Sequence, residues 1–405
     1  MLMLTAQGVN GTPTMTMQIS EPEHIQQLRE TLMRFVDKEI PRQLAMEWDR
    51  DDTMPRDFLK KLADLGLTGM TVPEEYGGYG RDIHATMAAI EEISKRSLGA
   101  AGFLISAACY GAMNIVESGS AEQKAELLPK IVSGDLMFAY GLTEPDVGAD
   151  LASVKTRVRR DGDKLIINGA KRFCTGAVFA DYIFTFCRTE EDLPRYKNLN
   201  MILVPKDSPG VTVTPMDAIS QRGMGTTDVV FENVEVPVSS IVGGESNWNQ
   251  GWGMLAGPVL DVEKLEVAAM ALGTAEAALA DAWQYSQDRE QFGVPICVHQ
   301  SVRHRLAKAK SSLLAARLTL YHAADLADND QPCGVETSIA KYFVAEQAQE
   351  VVLACQRVMG AYGCVNGDGG DMFRYVRESL VIPIAGGSSD IQLNNIANRL
   401  GLPRK

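Results

Sequence analysis

The sequence predicts an α+β protein in which a helical segment, a β segment and a second helical segment follow one another. The first third carries apolar residues at the three- and four-residue spacing of amphipathic helices. Short runs rich in β-branched residues, separated by Gly, Pro and Asp, follow and are typical of a small β-sandwich or barrel. Long stretches of helical periodicity then return, as a four-helix bundle requires.

These changes of pattern divide the chain into four predicted segments: a tail at 1–18, an α-helical domain at 19–135, a β domain at 136–245 and a helical bundle at 246–405. The tail is polar and lacks the cationic and apolar regions of a signal peptide, so we expect it to be disordered. No run of about eighteen apolar residues is apparent, and we therefore expect no membrane insertion.

In the N-terminal domain, one face of a predicted helix carries Ile25, Leu28, Leu32 and Phe35. The segment 55–65 predicts a further helix with proline in its first turn. Ser120, followed three residues later by Gln123, has the spacing of a capping box, which predicts that another helix begins there.

In the middle domain, alternation from Val154 to Val158, a turn at 161–163 and an apolar run at 165–167 predict a β-hairpin. Further strands are predicted at 182–187, 200–204, 211–213 and 229–236. In the C-terminal domain, bundle helices are predicted at 263–287, 301–328 and 336–359.

Composition excludes several classes of function. A formal net charge of −13 argues against nonspecific nucleic-acid binding and against anionic membrane surfaces. Seven cysteines show no Cys-x-x-Cys spacing and five histidines are scattered, so no metal site is predicted. An odd number of cysteines without paired spacing is typical of reduced thiols, and we expect a cytoplasmic protein.

The stretch at 383–392 reads Pro-Ile-Ala-Gly-Gly-Ser-Ser-Asp-Ile-Gln. It resembles the active-site loop of the acyl-CoA dehydrogenase family, Tyr-Glu-Gly-Thr-Ser-x-Ile-Gln, with Gly386 in place of the glutamate that takes the substrate's α-proton in most members. The stretch at 260–264, Leu-Asp-Val-Glu-Lys, resembles the Leu-Asp-x-Glu-Arg helix on which the isovaleryl and long-chain members carry their base. The resemblance therefore implies FAD-dependent α,β-dehydrogenation of an acyl-CoA, with Glu263 as the base.

Four further segments resemble the family's FAD-binding motifs. They are 140–150 (Thr-Glu-Pro-x-x-Gly-Ser-Asp in the family), 168–177 (Asn-Gly-x-Lys-x-Trp-Ile-Thr-Asn), 289–300 (Arg-x-x-Phe-Gly…Gln) and 356–363 (Gln-x-x-Gly-Gly-x-Gly). In the family the Arg of the third motif contacts the FAD pyrophosphate across a subunit interface, and the fourth motif receives the adenosine end. The residues that the resemblance implies for FAD contact are Tyr140, Leu142, Thr143, Gly148, Ala149, Phe173, Thr175, Arg289, Gln291, Phe292, Gln300, Gln356, Gly360, Ser388 and Asp390.

The proposed reaction asks for a buried carboxylate, because removing a proton beside a thioester at neutral pH needs a base with a raised pKa. On a helix, the neighbours of Glu263 on its own face are apolar: Leu260, Val267 and Met270. Glu266 lies one helical turn beyond Glu263 and is the alternative candidate for the base. A third possibility is that the site has no carboxylate base. By resemblance, the backbone N–H of Gly386 donates to the thioester oxygen, and Asp261, Lys264 and Gly387 contact the substrate.

The resemblance also implies partners: an acyl-CoA substrate, an electron-transfer flavoprotein as electron acceptor, and a homo-oligomer, commonly a dimer of dimers. Enoyl-CoA reduction by the same fold is an alternative, as is an acyl group bound to a carrier protein. A base-less, non-catalytic subunit of a hetero-oligomer is a further alternative from a different class. The length and branching of the acyl chain stay open.

Overall fold

The structure, a computed structural model, describes residues 21–189, 193–366 and 370–403, so the tail predicted at 1–18 lies outside the described residues. Within these ranges the helices are α1 (Glu23–Glu39), α2 (Arg42–Asp51), α3 (Phe58–Asp64), α4 (Ile83–Ser94), α5 (Leu98–Leu104), α6 (Asn114–Ser118), α7 (Ala121–Val132), α8 (Gly251–Leu255), α9 (Pro258–Asp288), α10 (Gln300–Asp328), α11 (Gly334–Met359), α12 (Met372–Val381) and α13 (Ser389–Arg399). The strands are β1 (Phe138–Gly141), β2 (Arg157–Asp161), β3 (Lys164–Lys171), β4 (Tyr182–Thr189), β5 (Leu199–Pro205), β6 (Val211–Pro215), β7 (Thr227–Pro237), β8 (Glu290–Gln291) and β9 (Val294–Pro295). The predicted order of helices, strands and helices is confirmed.

The N-terminal domain is helical as predicted, although α2, α4, α5 and α6 were not predicted individually and one predicted helix is shorter. The capping box at Ser120 and Gln123 is present at the start of α7. The helix predicted at 55–65 is shorter and begins at Phe58, because Pro55 and the residues after it form a turn closed by a 3.0 Å hydrogen bond from Phe58 N to Pro55 O. Helix α2, which the sequence reasoning missed, follows Pro41 and buries Trp48.

The chain from Leu98 to Ser118 forms one long helical run whose middle, Ile105–Met113, is π-helical. Contrary to the expectation of no long apolar stretch, this run is long and apolar enough to cross a membrane. However, 78% of its most apolar window is buried inside the protein, as in the core helix of a soluble protein. Its π-helical middle places Cys109 and Tyr110 beside the start of α9.

The middle domain is one curled sheet with strand order β1-β4-β2-β3-β7-β6. Strand β4 pairs with β1 and β2 along one edge and with β5 along the other. Strands β1 and β2 both run parallel to β4, whereas β2–β3, β3–β7, β6–β7 and β4–β5 are antiparallel. The hairpin predicted around 161–163 is the β2–β3 pair, and its turn residue Gly162 has φ +63°. All predicted strands are present.

Helix α9 occupies the centre of the molecule. It packs against α10 and α11 of the C-terminal bundle on one side and against α4 of the N-terminal domain on another, while α12 and α13 pack against α11. The three predicted bundle helices are confirmed as α9, α10 and α11. Because α9 lies between two helical layers, a polar side chain near its start is enclosed by protein.

Candidate active site

Glu263 is buried near the start of α9, with 7% of its surface exposed. Asn114, on α6, donates a 2.8 Å hydrogen bond to its Oε1, and the Tyr140 hydroxyl of β1 donates to the same oxygen. Burial raises the pKa of Glu263 to about 7, and the two hydrogen bonds act in the opposite direction. A carboxyl group with this pKa is divided between its ionised and protonated forms near neutral pH.

The loop that carries Gly386 lies against the same part of α9. A Cβ at Gly386 would stand 2.8 Å from Cγ2 of Val267, which is one helical turn beyond Glu263. Gly386 has φ +63°, a conformation that favours glycine. The side chain of Gln392 holds the loop through hydrogen bonds of 3.4 and 3.2 Å to the carbonyls of Gly386 and Gly387. The structure thus brings the predicted base and the predicted oxyanion donor to one face of α9.

A cleft of about 400 Å³ opens beside this face. It is lined by Glu117, Ser118, Asn247, Gln250, Gly253, Met254, Gly257 and Val259. Val259 precedes Glu263 by one turn of α9, and Glu117 follows Asn114 by one turn of the α6 helix. The cleft reaches α9 one turn before Glu263, and its lining does not include Glu263, Val267 or Gly386.

Asp261 and Lys264, predicted to contact substrate, are engaged with protein groups. Arg399 of α13 binds Asp261 through two hydrogen bonds of 2.9 and 3.0 Å, and Lys264 Nζ lies 2.5 Å from the same carboxylate. Lys264 also donates to Ser338 Oγ at 3.2 Å, and burial lowers its pKa. Neither residue lines the cleft, so their contact with substrate stays a prediction.

The predicted flavin segment around Leu142 and Thr143 is anchored by a buried ion pair. Lys171 Nζ lies 2.8 Å from Glu144 and donates to the Leu142 carbonyl at 3.1 Å, while the N–H of Arg172 donates to the Thr143 carbonyl at 2.8 Å. Both charged side chains of the pair are almost fully enclosed. Farther along the segment, a Cβ added at Gly148 would meet no atom within 4 Å, which leaves room beside Ala149.

Phe173 presents an open aromatic surface next to this segment. Its side chain is 58% exposed, and its φ of +59° is uncommon for a residue with a Cβ. The guanidinium of Arg172 lies 5.4 Å from the ring centroid, and Thr175 and Thr226 place their hydroxyls 3.3 Å apart nearby. An exposed ring beside hydroxyl groups suits a planar cofactor with polar edges.

The third predicted motif lies where α9 ends. Arg289 follows the helix, and its guanidinium lies 5.7 Å from the ring of Tyr362, a residue of the fourth motif. Gln291 is in β8, Gln300 opens α10, and Phe292 stands between β8 and β9 with 95% of its side chain exposed. Phe292 is the most exposed large hydrophobic side chain among the described residues.

The fourth motif departs from the family spacing. The side chain of Gln356 lies 2.8 Å from Cys364 Sγ of its own chain, so it does not point away from the protein. The residue three positions before Gly360, where the motif has Gln, is the exposed Arg357. Ser388 caps α13 by accepting from Ile391 N at 3.4 Å. The FAD contacts of Gln356, Gly360, Ser388 and Asp390 stay predictions.

The sequence reasoning missed the two groups that hold Glu263. Asn114 is a polar residue at the end of an apolar run, and Tyr140 was assigned only to flavin binding. The one signal that could have found Asn114 is its polar amide side chain within an otherwise apolar sequence, because a buried amide needs a hydrogen-bond partner. Nothing in its spacing points to Glu263, which is 149 residues away.

Comparison with known families identifies the class of protein. Three family models match the chain: acyl-CoA dehydrogenase N-terminal domain over residues 22–135, middle domain over 139–234 and C-terminal domain over 249–401. The chain belongs to the acyl-CoA dehydrogenase family. It is an oxidoreductase acting on CH–CH groups, in a family of flavoproteins.

Individual relatives agree with this assignment. The chain is 35% identical to an acyl-CoA dehydrogenase of Bacillus subtilis, covering 90% of this chain and 94% of the relative. It is 35% identical to a 3-(aryl)acrylate reductase of Clostridium sporogenes, covering 92% of this chain and 97% of the relative. It superimposes on a glutaryl-CoA dehydrogenase from Mycobacterium smegmatis in complex with FADH2 with a TM-score of 0.86, at 26% identity, covering 95% of this chain and 96% of that one.

Proposed function

We propose that this protein is an FAD-dependent acyl-CoA dehydrogenase in which Glu263 removes the substrate's α-proton and trans-2-enoyl-CoA is formed. The observation that carries the proposal is the buried Glu263 carboxylate, with a pKa near 7, on the face of α9 that meets the Gly386 loop. Desolvation makes this carboxylate a stronger base than an exposed glutamate.

The chain's own residues account for the proton step. Ionised Glu263 takes the α-proton, so the Cα–H bond breaks and an O–H bond forms on the carboxyl group. Tyr140 and Asn114 hold the carboxylate in one orientation through Oε1. The backbone N–H of Gly386 supports the thioester oxygen as negative charge develops there. FAD, when bound, supplies the acceptor for the hydride from Cβ.

The residues present fit FAD. Phe173 offers an exposed ring, and Gly148 leaves space for a planar group to approach the backbone. Arg289 has the guanidinium suited to a pyrophosphate, and the exposed Phe292 next to it supports contact across an interface between copies. We therefore propose a homo-oligomer, a dimer of dimers, in which Arg289 and Phe292 reach the neighbour's FAD.

Enoyl reduction is a second candidate, favoured by the 35% identity to a 3-(aryl)acrylate reductase. A carboxyl group with a pKa near 7 is present in both forms at neutral pH, so Glu263 can donate a proton as well as accept one. For oxidation we propose an electron-transfer flavoprotein as the acceptor. All seven cysteines are free, which supports the proposed cytoplasmic location.

The test compares the wild type with Glu263→Gln and with Glu350→Gln, a matched change at an exposed position of α11. FAD content is measured first, and each protein is then mixed anaerobically with straight and branched acyl-CoAs. We expect rapid flavin bleaching by one or more of them in the wild type and Glu350→Gln, and almost none in Glu263→Gln. Equal bleaching in all three proteins would overturn the assignment of the base.

The same proteins distinguish the two directions and the non-catalytic reading. Chemically reduced enzyme is mixed with enoyl-CoAs, and reoxidation of the flavin is followed. Faster turnover in this direction than with acyl-CoA would favour a reductase. A wild type that binds FAD but reacts with neither class of thioester would favour a non-catalytic subunit.

A further inference from the structure

A second carboxyl group lies one helical turn beyond Glu263 and takes no part in the chemistry described above. The Glu266 side chain is 3% exposed, and its Oε2 has no hydrogen-bond partner among the described residues. An unsatisfied buried polar atom destabilises a protein, and a charged one does so more, so its retention asks for an explanation. Residues three apart on a helix are neighbours on its surface, and the charge of Glu263 acts on Glu266, so the two carboxyl groups lie close together.

The groups that face Glu266 come from three elements. Glu263 stands on the same helix, Cys109 and Tyr110 come from the π-helical segment, and Tyr140 comes from β1. The rings of Tyr110 and Tyr140 are 4.3 Å apart. All four are acids, and within the described ranges no Lys or Arg forms an ion pair with Glu263 or Glu266. The pair therefore has no cation to compensate two negative charges.

Two carboxyl groups this close in an apolar interior do not both ionise at neutral pH. Tyr140 and Asn114 donate to Glu263, which favours the negative charge there. Glu266 has an oxygen with no donor, which favours a retained proton on that residue. In the same direction, burial and the charge of Glu263 raise the pKa of Glu266 well above its usual range.

We propose that Glu266 is the proton-relay partner of Glu263 and that the two carboxyl groups together carry the α-proton out of the site. The proposal rests on the proposed function of Glu263. Once Glu263 has taken the α-proton, its O–H can donate to Oε2 of Glu266, the acceptor that has no other donor. The proton crosses to Oε2, and Glu266 releases its own proton from its other oxygen to the hydroxyl of Tyr110, which faces it and is partly exposed. The Tyr110 hydroxyl passes its own proton to water, and Glu263 returns to the carboxylate. One proton leaves and no electrons are exchanged.

The relay has a consequence that a structural role would not have. If Glu266 removes the proton from Glu263, an α-hydrogen taken from the substrate is replaced by solvent hydrogen before it can return. If the relay is absent, the same hydrogen stays on Glu263 and returns to Cα. Exchange of the α-hydrogen with solvent therefore reports on Glu266 separately from proton abstraction itself.

The experiment uses the FAD-loaded enzyme in D₂O with an acyl-CoA analogue in which sulfur replaces Cβ, so that no hydride can leave. Loss of the α-hydrogen signal is followed by NMR for the wild type, Glu266→Gln, Glu263→Gln and Glu350→Gln. The rate of first-turnover flavin reduction is measured separately with ordinary acyl-CoA. We expect the rate of α-hydrogen exchange, divided by this rate of flavin reduction, to fall about tenfold or more in Glu266→Gln. Glu263→Gln should lose both activities, and Glu350→Gln should match the wild type.

An unchanged ratio in Glu266→Gln would overturn the relay while leaving Glu263 as the base. A pH midpoint of flavin reduction that moves lower in Glu266→Gln would show that Glu266 is ionised in the wild type, which also overturns it. Loss of bleaching in Glu266→Gln together with its retention in Glu263→Gln would instead refute the proposed function. If Glu266→Gln does not fold, Glu266→Asp keeps the carboxyl group on a shorter side chain and should show a smaller reduction of the ratio.

Discussion

The hydrogen bond from Tyr140 sets the pH range in which Glu263 can act, and Tyr140→Phe tests this. The hydroxyl donates to Glu263 Oε1, which favours the ionised form and lowers the pKa that burial raises to about 7. A hydrogen bond to a charged group contributes about 1.5–3 kcal/mol, so its loss should raise the pKa by about one to two pH units. At pH 7 the ionised fraction, and with it the rate of flavin reduction, should fall about 5- to 50-fold.

The assay is stopped-flow flavin reduction between about pH 5.5 and 9.5, a range that covers the wild-type midpoint and the raised midpoint expected for Tyr140→Phe. Because the ionised form is the active one, the rate should rise with pH in both proteins, and the Tyr140→Phe curve should lie at higher pH with a similar plateau. Tyr182→Phe, a matched change on β4 whose ring packs against Phe138 and not against Glu263, should keep the wild-type midpoint. A Tyr140→Phe midpoint that is unchanged or lower would refute the reasoning.

Three further predictions concern the same site. Glu263→Gln should raise the Tm at pH 8 but hardly at pH 4. The pKa of Glu263 is about 7 in the folded protein and 4.5 ordinarily, so the ionised group lowers the stability of the fold by roughly 3 kcal/mol above pH 7. An equal gain in Tm at both pH values would contradict this. Gly386→Glu should not restore flavin bleaching to Glu263→Gln, because φ is +63° and a Cβ would stand 2.8 Å from Val267; recovered bleaching in the double variant would show that the loop adapts. Phe173→Ala should weaken FAD binding by about tenfold in a fluorescence titration, as loss of an aromatic contact of about 1.5 kcal/mol predicts, with little change in the Tm of the apoprotein; equal affinity would remove Phe173 from the cofactor site.

The two buried glutamates of this site differ from other buried acids of the protein in having no cationic partner among the described residues. Glu263 and Glu266 are both nearly inaccessible and share no cation among the described residues, so the fold accepts a desolvation cost at the centre of the molecule. Other buried acids are handled differently: Glu91 is fully buried but lies between Arg29, Arg317 and Lys95. The contrast between compensated and uncompensated carboxylates separates structural acids from candidates for chemistry.

Much of the fold was predictable because its signals are local. Helical periodicity predicted α9, α10 and α11 to within a few residues, and alternation with turn residues predicted the β2–β3 hairpin. The errors also have local causes. Helix α2 was missed, and the start of α3 was placed too early because proline was assumed to lie inside the first turn, whereas it forms the preceding turn.

The sequence by itself determined which residues could carry the chemistry: a glutamate on an apolar helix face, and a glycine in the loop that resembles the family's active-site loop. Only the tertiary structure decided what surrounds them. Asn114 and Tyr140 reach Glu263 from 149 and 123 residues away, and Arg399 binds Asp261 from 138 residues away. Such contacts arise when α6, β1 and α13 pack around α9. The periodicity of a segment specifies which of its faces is buried, but not which distant group will meet that face, and the pKa of a buried acid depends on that meeting.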